Sequence, residues 1–277
     1  MELQTRFSAL IAEELRLKAT DVEQTVKLLD DGNTVPFIAR YRKEVTGGLN
    51  EEQIRQIEDR IRYLRHLEER KATVLESIEK QGKLTPELKT KIEQATKLQE
   101  VEDLYLPYKP KKRTRATVAK EKGLEPLALL MLAQEIEQGT IEEIARPYLN
   151  PEKELNSIDA VLAGARDIVA EIVSENADLR KELRKFTFAT GPLTSAARDE
   201  SDVSVYGMYA DYREPVKHIR PHRTLAINRG EREGYLKVKI EVDLDAAHEI
   251  LRRHYLKNPR SVFAEQIELA LKDSYQR

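Results

Sequence analysis

A chain of 277 residues is long enough for one large or two ordinary domains with a buried core. The absence of cysteine excludes disulfides and thiolate metal sites, and no apolar run is long enough to span a membrane, so a cytoplasmic protein is expected. A net charge of −2 argues against nucleic-acid binding through bulk positive charge, which leaves local basic patches as the only route to it.

The first predicted elements are helices. Charged residues make up 35% of the chain and glycine and proline are scarce, which favours a mainly α-helical fold. Apolar residues recur at helical spacing over 3–18 and again over 22–29, and they predict two amphipathic helices. Thr20 and Glu23 predict a capping box at the start of the second.

The stretch TVPFIARYRKEVTGG predicts a third helix, which ends at Gly47 or Gly48. Its apolar residues fall within one arc at 100° per residue and are predicted to be core: Phe37, Ile38, Tyr41 and Val45. Its basic residues fall outside that arc: Arg40, Arg42 and Lys43. These cations could meet phosphates, or they could form a solvated face paired with acids such as Glu44.

One long helix is predicted next. Asn50 and Gln53 form a capping-box pattern, and apolar residues then repeat without a breaker over about 51–80. Thr85 starts a further helix, whereas Pro107 and Pro110 predict an extended connector because proline cannot continue a helix.

Helices are predicted to resume at Thr117 and after Pro126, and two more follow over 158–176 and 179–189. The leucine-rich helix after Pro126 is predicted to be deeply buried at five positions: Leu127, Leu129, Leu130, Met131 and Leu132.

The pattern of apolar residues changes after about residue 190. A glycine-flanked charged turn and an alternating Leu-Lys-Val-Lys-Ile run predict a small antiparallel β-hairpin over about 223–242. One face of its second strand carries the apolar residues Leu236, Val238, Ile240 and Val242. Two helices follow, and the last is still periodic at Arg277, which suggests a piece of a longer protein.

The strongest charge feature is a run of seven basic residues against one acid, Glu121: Lys109, Lys111, Lys112, Arg113, Arg115, Lys120 and Lys122. Tyr105 and Tyr108 lie just upstream and could stack on bases. The run could contact nucleic acid, bind an acidic protein partner, or form a solvated loop.

A second basic group spans 213–232 and includes Arg223 and Arg229. Arg229 could position a phosphate at the predicted turn, although Glu231 and Glu233 could neutralise it. His218 and His222 are separated by Pro221, so a metal site is not expected there. We find no nucleophile pattern, and the acids Asp199, Glu200 and Asp202 suit a position before a helix. No catalytic residue, metal, cofactor or small-molecule substrate is predicted.

Three long motifs resemble the N-terminal part of the Tex family: TVPFIARYRKEVTGGLNEEQI, EVEDLYLPYKPKKRTRATVAKEKGLEPLA and PHRTLAINRGEREGYLKV. The family comprises bacterial transcription accessory proteins related to a eukaryotic transcription-elongation factor and histone chaperone. The resemblance implies a helical region with a helix-turn-helix-like portion. It also implies RNase H-type, helix-hairpin-helix and OB-fold RNA-binding domains elsewhere in the full-length protein.

Together these features predict an N-terminal helical domain over 1–190 and a connecting segment over 191–277. The expected function is a non-catalytic scaffold that contributes to RNA or DNA binding, with the transcription machinery as a further partner and no membrane contact. The predicted binding residues are, in order of preference, Lys109, Lys111, Lys112, Arg113 and Arg115, then Arg40 and Lys43, with Arg223 and Arg229. The alternative is a protein-interaction module that docks a partner through the long helix over 51–80.

Overall fold

A computed structural model describes residues 2–199 and 205–277. Within these residues, fourteen α-helices accompany one three-stranded antiparallel sheet, which confirms the mainly α-helical prediction. The chain divides into two compact units, Met1–Tyr105 and Leu106–Arg277. The boundary predicted at 190/191 stays a prediction, as does the helix-turn-helix-like portion. Of the three acids noted above, Glu200 and Asp202 lie outside the described residues.

The unit Met1–Tyr105 is helical throughout. Its elements are α1 (Glu2–Leu15), α2 (Ala19–Asp30), α3 (Val35–Tyr41), α4 (Glu51–Lys80), α5 (Pro86–Gln94) and α6 (Leu98–Tyr105). The Thr20–Glu23 capping box was predicted wrongly, because α2 begins after Lys18 and no side chain caps it.

The long helix α4 confirms its prediction. Asn50 and Gln53 close a capping box at its start, with N···O distances of 2.9 and 3.0 Å. Thirty residues at 1.5 Å each make α4 about 45 Å long. Its first half packs Ile54, Ile57 and nearby residues against α1, α2 and α3. Its second half meets α5 and α6, and there the Arg70 side chain lies 2.5 Å from Glu102.

The predicted orientation of α3 was wrong for its aromatic residues. Ile38 is fully buried, but Phe37 is 36% and Tyr41 61% exposed. The prediction assumed a helix that continues to Val45, whereas α3 is two turns long and ends at Tyr41. The inward arc of so short a helix is filled by its aliphatic residues: Val35, Ile38 and Ala39.

The turn after α3 explains the paired glycines. Gly47 and Gly48 have φ values of 63° and 82°, a region that favours glycine. A Cβ built on Gly47 would lie 2.2 Å from a carboxylate oxygen of Asp21. The glycines therefore do not end α3 directly, as predicted, but shape the turn between α3 and α4.

The unit Leu106–Arg277 combines a helical core with a small sheet. Its helices are α7 (Arg115–Glu121), α8 (Glu125–Ala133), α9 (Ile141–Ala145), α10 (Ile158–Ser174), α11 (Ala177–Thr190), α12 (Pro221–Arg232), α13 (Leu244–Tyr255) and α14 (Ala264–Gln276). Its strands are β1 (Pro192–Ala197), β2 (Asp211–Pro215) and β3 (Leu236–Ile240).

Helix α10 lies at the centre of the core of this unit and packs against α7, α8 and α14. Gly164 permits close packing here, since a Cβ at that position would lie 2.3 Å from Cδ1 of Leu124. Helix α8 was predicted to be buried along most of its length, but Leu129 and Leu130 are exposed. Helix α8 has only nine residues, and just one of its sides faces the core.

The predicted hairpin over 223–242 was wrong in its first half. Residues Pro221–Arg232 form α12, with proline in the first helical turn, where it is tolerated. The strand predicted around Leu236 is confirmed, but it pairs with β1, in the sheet order β2-β1-β3. Gly230 is buried where α12 packs on β3, since a Cβ there would lie 2.7 Å from Cδ1 of Leu236.

Candidate nucleic-acid interface

The basic run over 109–122 crosses an irregular segment and continues into α7. Its central contact is with Glu171 of α10, whose side chain is only 10% exposed. Glu171 accepts a hydrogen bond of 2.9 Å from the Thr114 hydroxyl and lies 3.3 Å from the Lys120 ammonium. Lys111 is bound to Glu175 and lies 3.8 Å from Glu171. The predicted binding residue Lys111 and its neighbour in the run, Lys120, are thus held by carboxylates of their own unit.

Arg115 of the run is also neutralised by carboxylates of its own unit. The Arg115 guanidinium lies 3.2 Å from Asp167 and 3.0 Å from Asp273. The hydrogen bond to Asp273 raises the pKa of Arg115. Burial acts to raise the pKa of Asp273, but hydrogen bonds from Arg277 and Arg115 bring it below its ordinary value. These four charged groups join α7, α10 and α14.

The remaining residues of the run divide into paired and free cations. Arg113 pairs with Glu121 at 2.7 Å, and Lys122 pairs with Glu154 at 2.9 Å. Lys109 and Lys112 are exposed and have no acidic partner among residues 2–199 and 205–277. Lys109 and Lys112 are therefore the two residues of the basic run over 109–122 whose charge is not neutralised by a described carboxylate.

We expect Glu171→Ala to lower the free energy of unfolding of the unit Leu106–Arg277 by about 1–3 kcal/mol, because Thr114 and two lysines lose a shared, largely buried acceptor. Urea unfolding followed by circular dichroism measures the change. Glu121→Ala is the matched control, since it removes an exposed carboxylate and should cost less than about 1 kcal/mol. Equal losses in the two variants would show that Glu171 is not the central contact.

The two residues of the second basic group that were predicted to bind nucleic acid are also paired. Arg223 donates to both oxygens of Glu214 at 2.8 and 3.0 Å, and Arg229 donates to Glu233 at 2.8 Å. The hydrogen bond from Tyr212 and, to a smaller extent, the one from Arg223 lower the pKa of Glu214. Arg229 lies in the last turn of α12, not in the predicted hairpin turn. Neither arginine presents a free cation.

The surface of α3 differs from both basic groups. The rings of Phe37 and Tyr41 lie side by side, with centroids 5.3 Å apart and planes tilted by 47°. The Arg42 guanidinium lies 5.1 Å from the centre of the Phe37 ring. Arg40 and Lys43 are exposed, and no carboxylate in the described part of the chain pairs with either. We call these five residues the α3 surface.

The α3 surface can offer ring faces and positive charge to one ligand. On a helix, residues three and four apart share a face, so Phe37, Arg40 and Tyr41 point the same way. Arg40 therefore shares a face with the aromatic pair that was predicted to be core, whereas Lys43 is exposed two residues beyond the end of α3. The signal in the sequence was the interleaving of aromatic and basic residues in FIARYRK.

Two further features bear on function, metal-ion sites and helices that could span a membrane. Among the described residues, no group of three or more histidines, aspartates and glutamates is arranged to hold a metal ion. None of the helices described above combines the length and apolar character needed to cross a membrane.

Comparison with known proteins identifies the family. The family model for the Tex-like protein N-terminal domain matches residues 5–79, and the model for the Tex central region-like segment matches 137–275. The uncharacterized protein YdcI of Bacillus subtilis is 45% identical over 282 residues, which cover all of this chain and 39% of that protein. Protein tex of Bordetella pertussis is 48% identical over 87% of this chain and 31% of its own length.

A third relative carries a functional name. The transcriptional accessory protein Tex of Neisseria gonorrhoeae is 44% identical over 238 residues, which are 85% of this chain and 31% of that protein. The chain thus spans between 31% and 39% of the length of these relatives. Since the two family models together cover most of its length, the chain belongs to the Tex family.

Proposed function

We propose that this chain contributes a non-catalytic nucleic-acid contact to a transcription accessory protein, and that the α3 surface makes this contact. The name of the Neisseria gonorrhoeae relative supports the link to transcription. Because the proposed function serves transcription, we propose that the protein acts in the cytoplasm. The remaining two thirds of such a protein would add to the affinity and set its specificity.

The observation that carries the proposal is the exposure of Phe37 and Tyr41 beside cations that have no acidic partner. Aromatic rings stack on bases, and each stacked base contributes about 1–3 kcal/mol. Arg40 and Lys43 can meet the phosphates on either side of a stacked base. The core of this unit is filled by the aliphatic residues of α3, so the two rings remain available to a ligand.

The structure changes the order of preference among the predicted residues. The run over 109–122 ranked first in the sequence, but five of its seven cations are paired with carboxylates. A nucleic acid that bound there would first have to displace those carboxylates. Lys109 and Lys112 can still add phosphate contacts. We therefore place Arg40 and Lys43 first, and Arg223 and Arg229 last.

The test uses the chain with a fluorescent single-stranded RNA and a single-stranded DNA of the same sequence. Replacing both Phe37 and Tyr41 by alanine should weaken binding about 10-fold to 100-fold, which corresponds to the loss of one stacked base. Phe188→Ala is the matched control, because Phe188 is also exposed and lies on α11. Fluorescence anisotropy at a fixed salt concentration measures the affinity.

A second pair of variants tests the cations. Replacing Arg40 and Lys43 by glutamine should reduce the slope of log affinity against log salt by about 1.4, at roughly 0.7 for each phosphate on a single strand. Lys83→Gln with Arg146→Gln removes the same charge from other exposed positions and should leave the slope nearly unchanged. Binding that is unaffected by both the aromatic and the cationic variants would refute the α3 surface as the contact.

The protein-interaction module remains the second candidate. The adjacent leucines Leu129 and Leu130 are exposed on α8, and such apolar side chains suit a protein partner better than a nucleic acid. If the chain binds neither RNA nor DNA, and Leu129→Glu with Leu130→Glu abolishes capture of a transcription component, this second function replaces the first.

A further inference from the structure

The open face of the sheet has the shape of a trough. On this face the central strand β1 carries the short side chains Thr194 and Ala196. The register places Thr194 between Arg213 of β2 and Lys239 of β3. It also places Ala196 between Asp211 and Lys237 of the same two strands. Short residues thus form the floor and charged residues, three basic and one acidic (Asp211), form the walls around a cavity of about 420 Å³.

The trough already holds an anion between its walls. The Glu241 carboxylate lies 2.9 Å from the Lys239 ammonium and also binds the Arg213 guanidinium on the opposite wall. Hydrogen bonds from Lys239 and Arg213 lower the pKa of Glu241, which keeps its carboxylate charged. One end of the trough is therefore built to clasp an anionic group between two strands that are not neighbours.

The other end of the trough has a cation available. Lys237 is exposed and pairs with no carboxylate among the residues that the structure describes. Lys237 and Lys239 are two residues apart on β3, so their side chains leave the strand about 6.6 Å apart on the same face. Tyr212 also borders the cavity, but it pairs with the buried Ser195 and its ring packs against Tyr209 on the other side of the sheet, so a ligand in the trough would be held by charge and not by stacking.

We propose that the trough, formed by Arg213, Lys237 and Lys239 over Thr194 and Ala196, is a binding site for phosphate groups. A phosphate takes the place of the Glu241 carboxylate between Arg213 and Lys239, and a second phosphate or a second charge reaches Lys237. Ion pairs between exposed side chains contribute only about 0–1 kcal/mol, so displacing Glu241 costs little. Arginine suits the role because its guanidinium binds two phosphate oxygens at once.

Phosphate chemistry could reach the trough in two forms, as the backbone of a nucleic acid or as a free phosphate. The site is independent of the α3 surface, because it offers no ring for a base. Two probes separate the sources: inorganic phosphate, and an abasic oligodeoxynucleotide, which keeps the phosphodiester backbone without bases. Amide chemical shifts of residues 193–197 and 236–240 in NMR titrations of the chain report binding at the trough itself.

Three variants test the assignment. Glu241→Gln removes the internal anion and should raise the affinity for inorganic phosphate about fivefold, the equivalent of one exposed ion pair. Lys239→Gln should lower that affinity about fivefold. Glu135→Gln is the matched control for the charge change, since Glu135 is exposed in the same unit and should leave the affinity unchanged.

The outcomes are distinct. Shifts with both probes support a site for the nucleic-acid backbone, and shifts with inorganic phosphate alone support a site for a free phosphate. The proposal would be overturned if neither probe shifted the amides. It would also be overturned if Glu241→Gln and Glu135→Gln raised the affinity for inorganic phosphate equally. Neither result depends on whether Phe37 and Tyr41 bind bases, because neither probe contains a base. The amide spectrum of each variant also shows directly that the sheet remains folded.

Discussion

Ile38→Ala should destabilise the unit Met1–Tyr105 by about 2–5 kcal/mol, whereas Phe37→Ala should cost less than about 1 kcal/mol. The two residues are neighbours on α3, and the sequence predicted both to be core. Ile38 is fully buried among residues of α1, α2 and α4, so its truncation leaves a cavity that helices fixed on several sides cannot close. Phe37 is more than one third exposed, and its ring contacts the exposed Tyr41 ring and the Arg42 guanidinium, so its truncation leaves no enclosed cavity.

Urea unfolding followed by circular dichroism measures both variants, with wild-type chain as the reference. A loss for Phe37→Ala as large as that for Ile38→Ala would mean that the aromatic face points inward. The α3 surface would then not exist, and the proposed nucleic-acid contact would fall with it. This comparison therefore examines the structural basis of the proposed function without any ligand.

Phe263→Ala should lower the free energy of unfolding of the unit Leu106–Arg277 by about 3–5 kcal/mol. Phe263 is fully buried at the start of α14, within the core around α10. The chain on its N-terminal side is fixed in place, because the Val262 amide donates to the Ile136 carbonyl at 2.9 Å. The side chain of Gln134 accepts amide hydrogen bonds from Lys257 and Asn258 at 3.0 and 3.1 Å. Such anchoring prevents the cavity from collapsing.

The control for Phe263→Ala is the same substitution at Phe188, which is 58% exposed and should cost less than about 1 kcal/mol. For a unit of this size the thermal midpoint of the Phe263 variant should fall by roughly 10 °C. Calorimetry resolves that shift. A midpoint lowered equally by both substitutions would contradict the core position of Phe263.

The elements that the sequence predicted well are those set by local interactions. Helix α4 begins after Asn50 and ends at Lys80, because a capping box and an unbroken apolar stripe act within a few residues of each other. The cap at Thr85 follows the same logic and is present in the structure. Ser157 likewise caps α10, as its position before the apolar run indicated.

The features that could not be predicted depend on distant parts of the chain. Helix α12 contains a short apolar run, Leu225–Ile227, that also suits a strand, and its helical state goes with close packing of Gly230 on β3. Strand β3 pairs with β1, about 40 residues earlier, which no local pattern shows. The neutralisation of Arg115 by Asp273 joins residues 158 positions apart. A basic run therefore shows how many cations a segment carries, but not how many of them remain unpaired after folding.

The two halves of α4 have a consequence for how the Tex N-terminal region is divided into fragments. The matching family segment ends at residue 79, almost at the end of α4. The apolar residues of the second half of α4, such as Val74 and Ile78, are buried in a unit that extends to Tyr105 and includes α5 and α6. A protein cut at residue 79 would present that apolar stripe to solvent and tend to aggregate. The segment matched by the family model is thus shorter than the compact unit that buries its apolar residues.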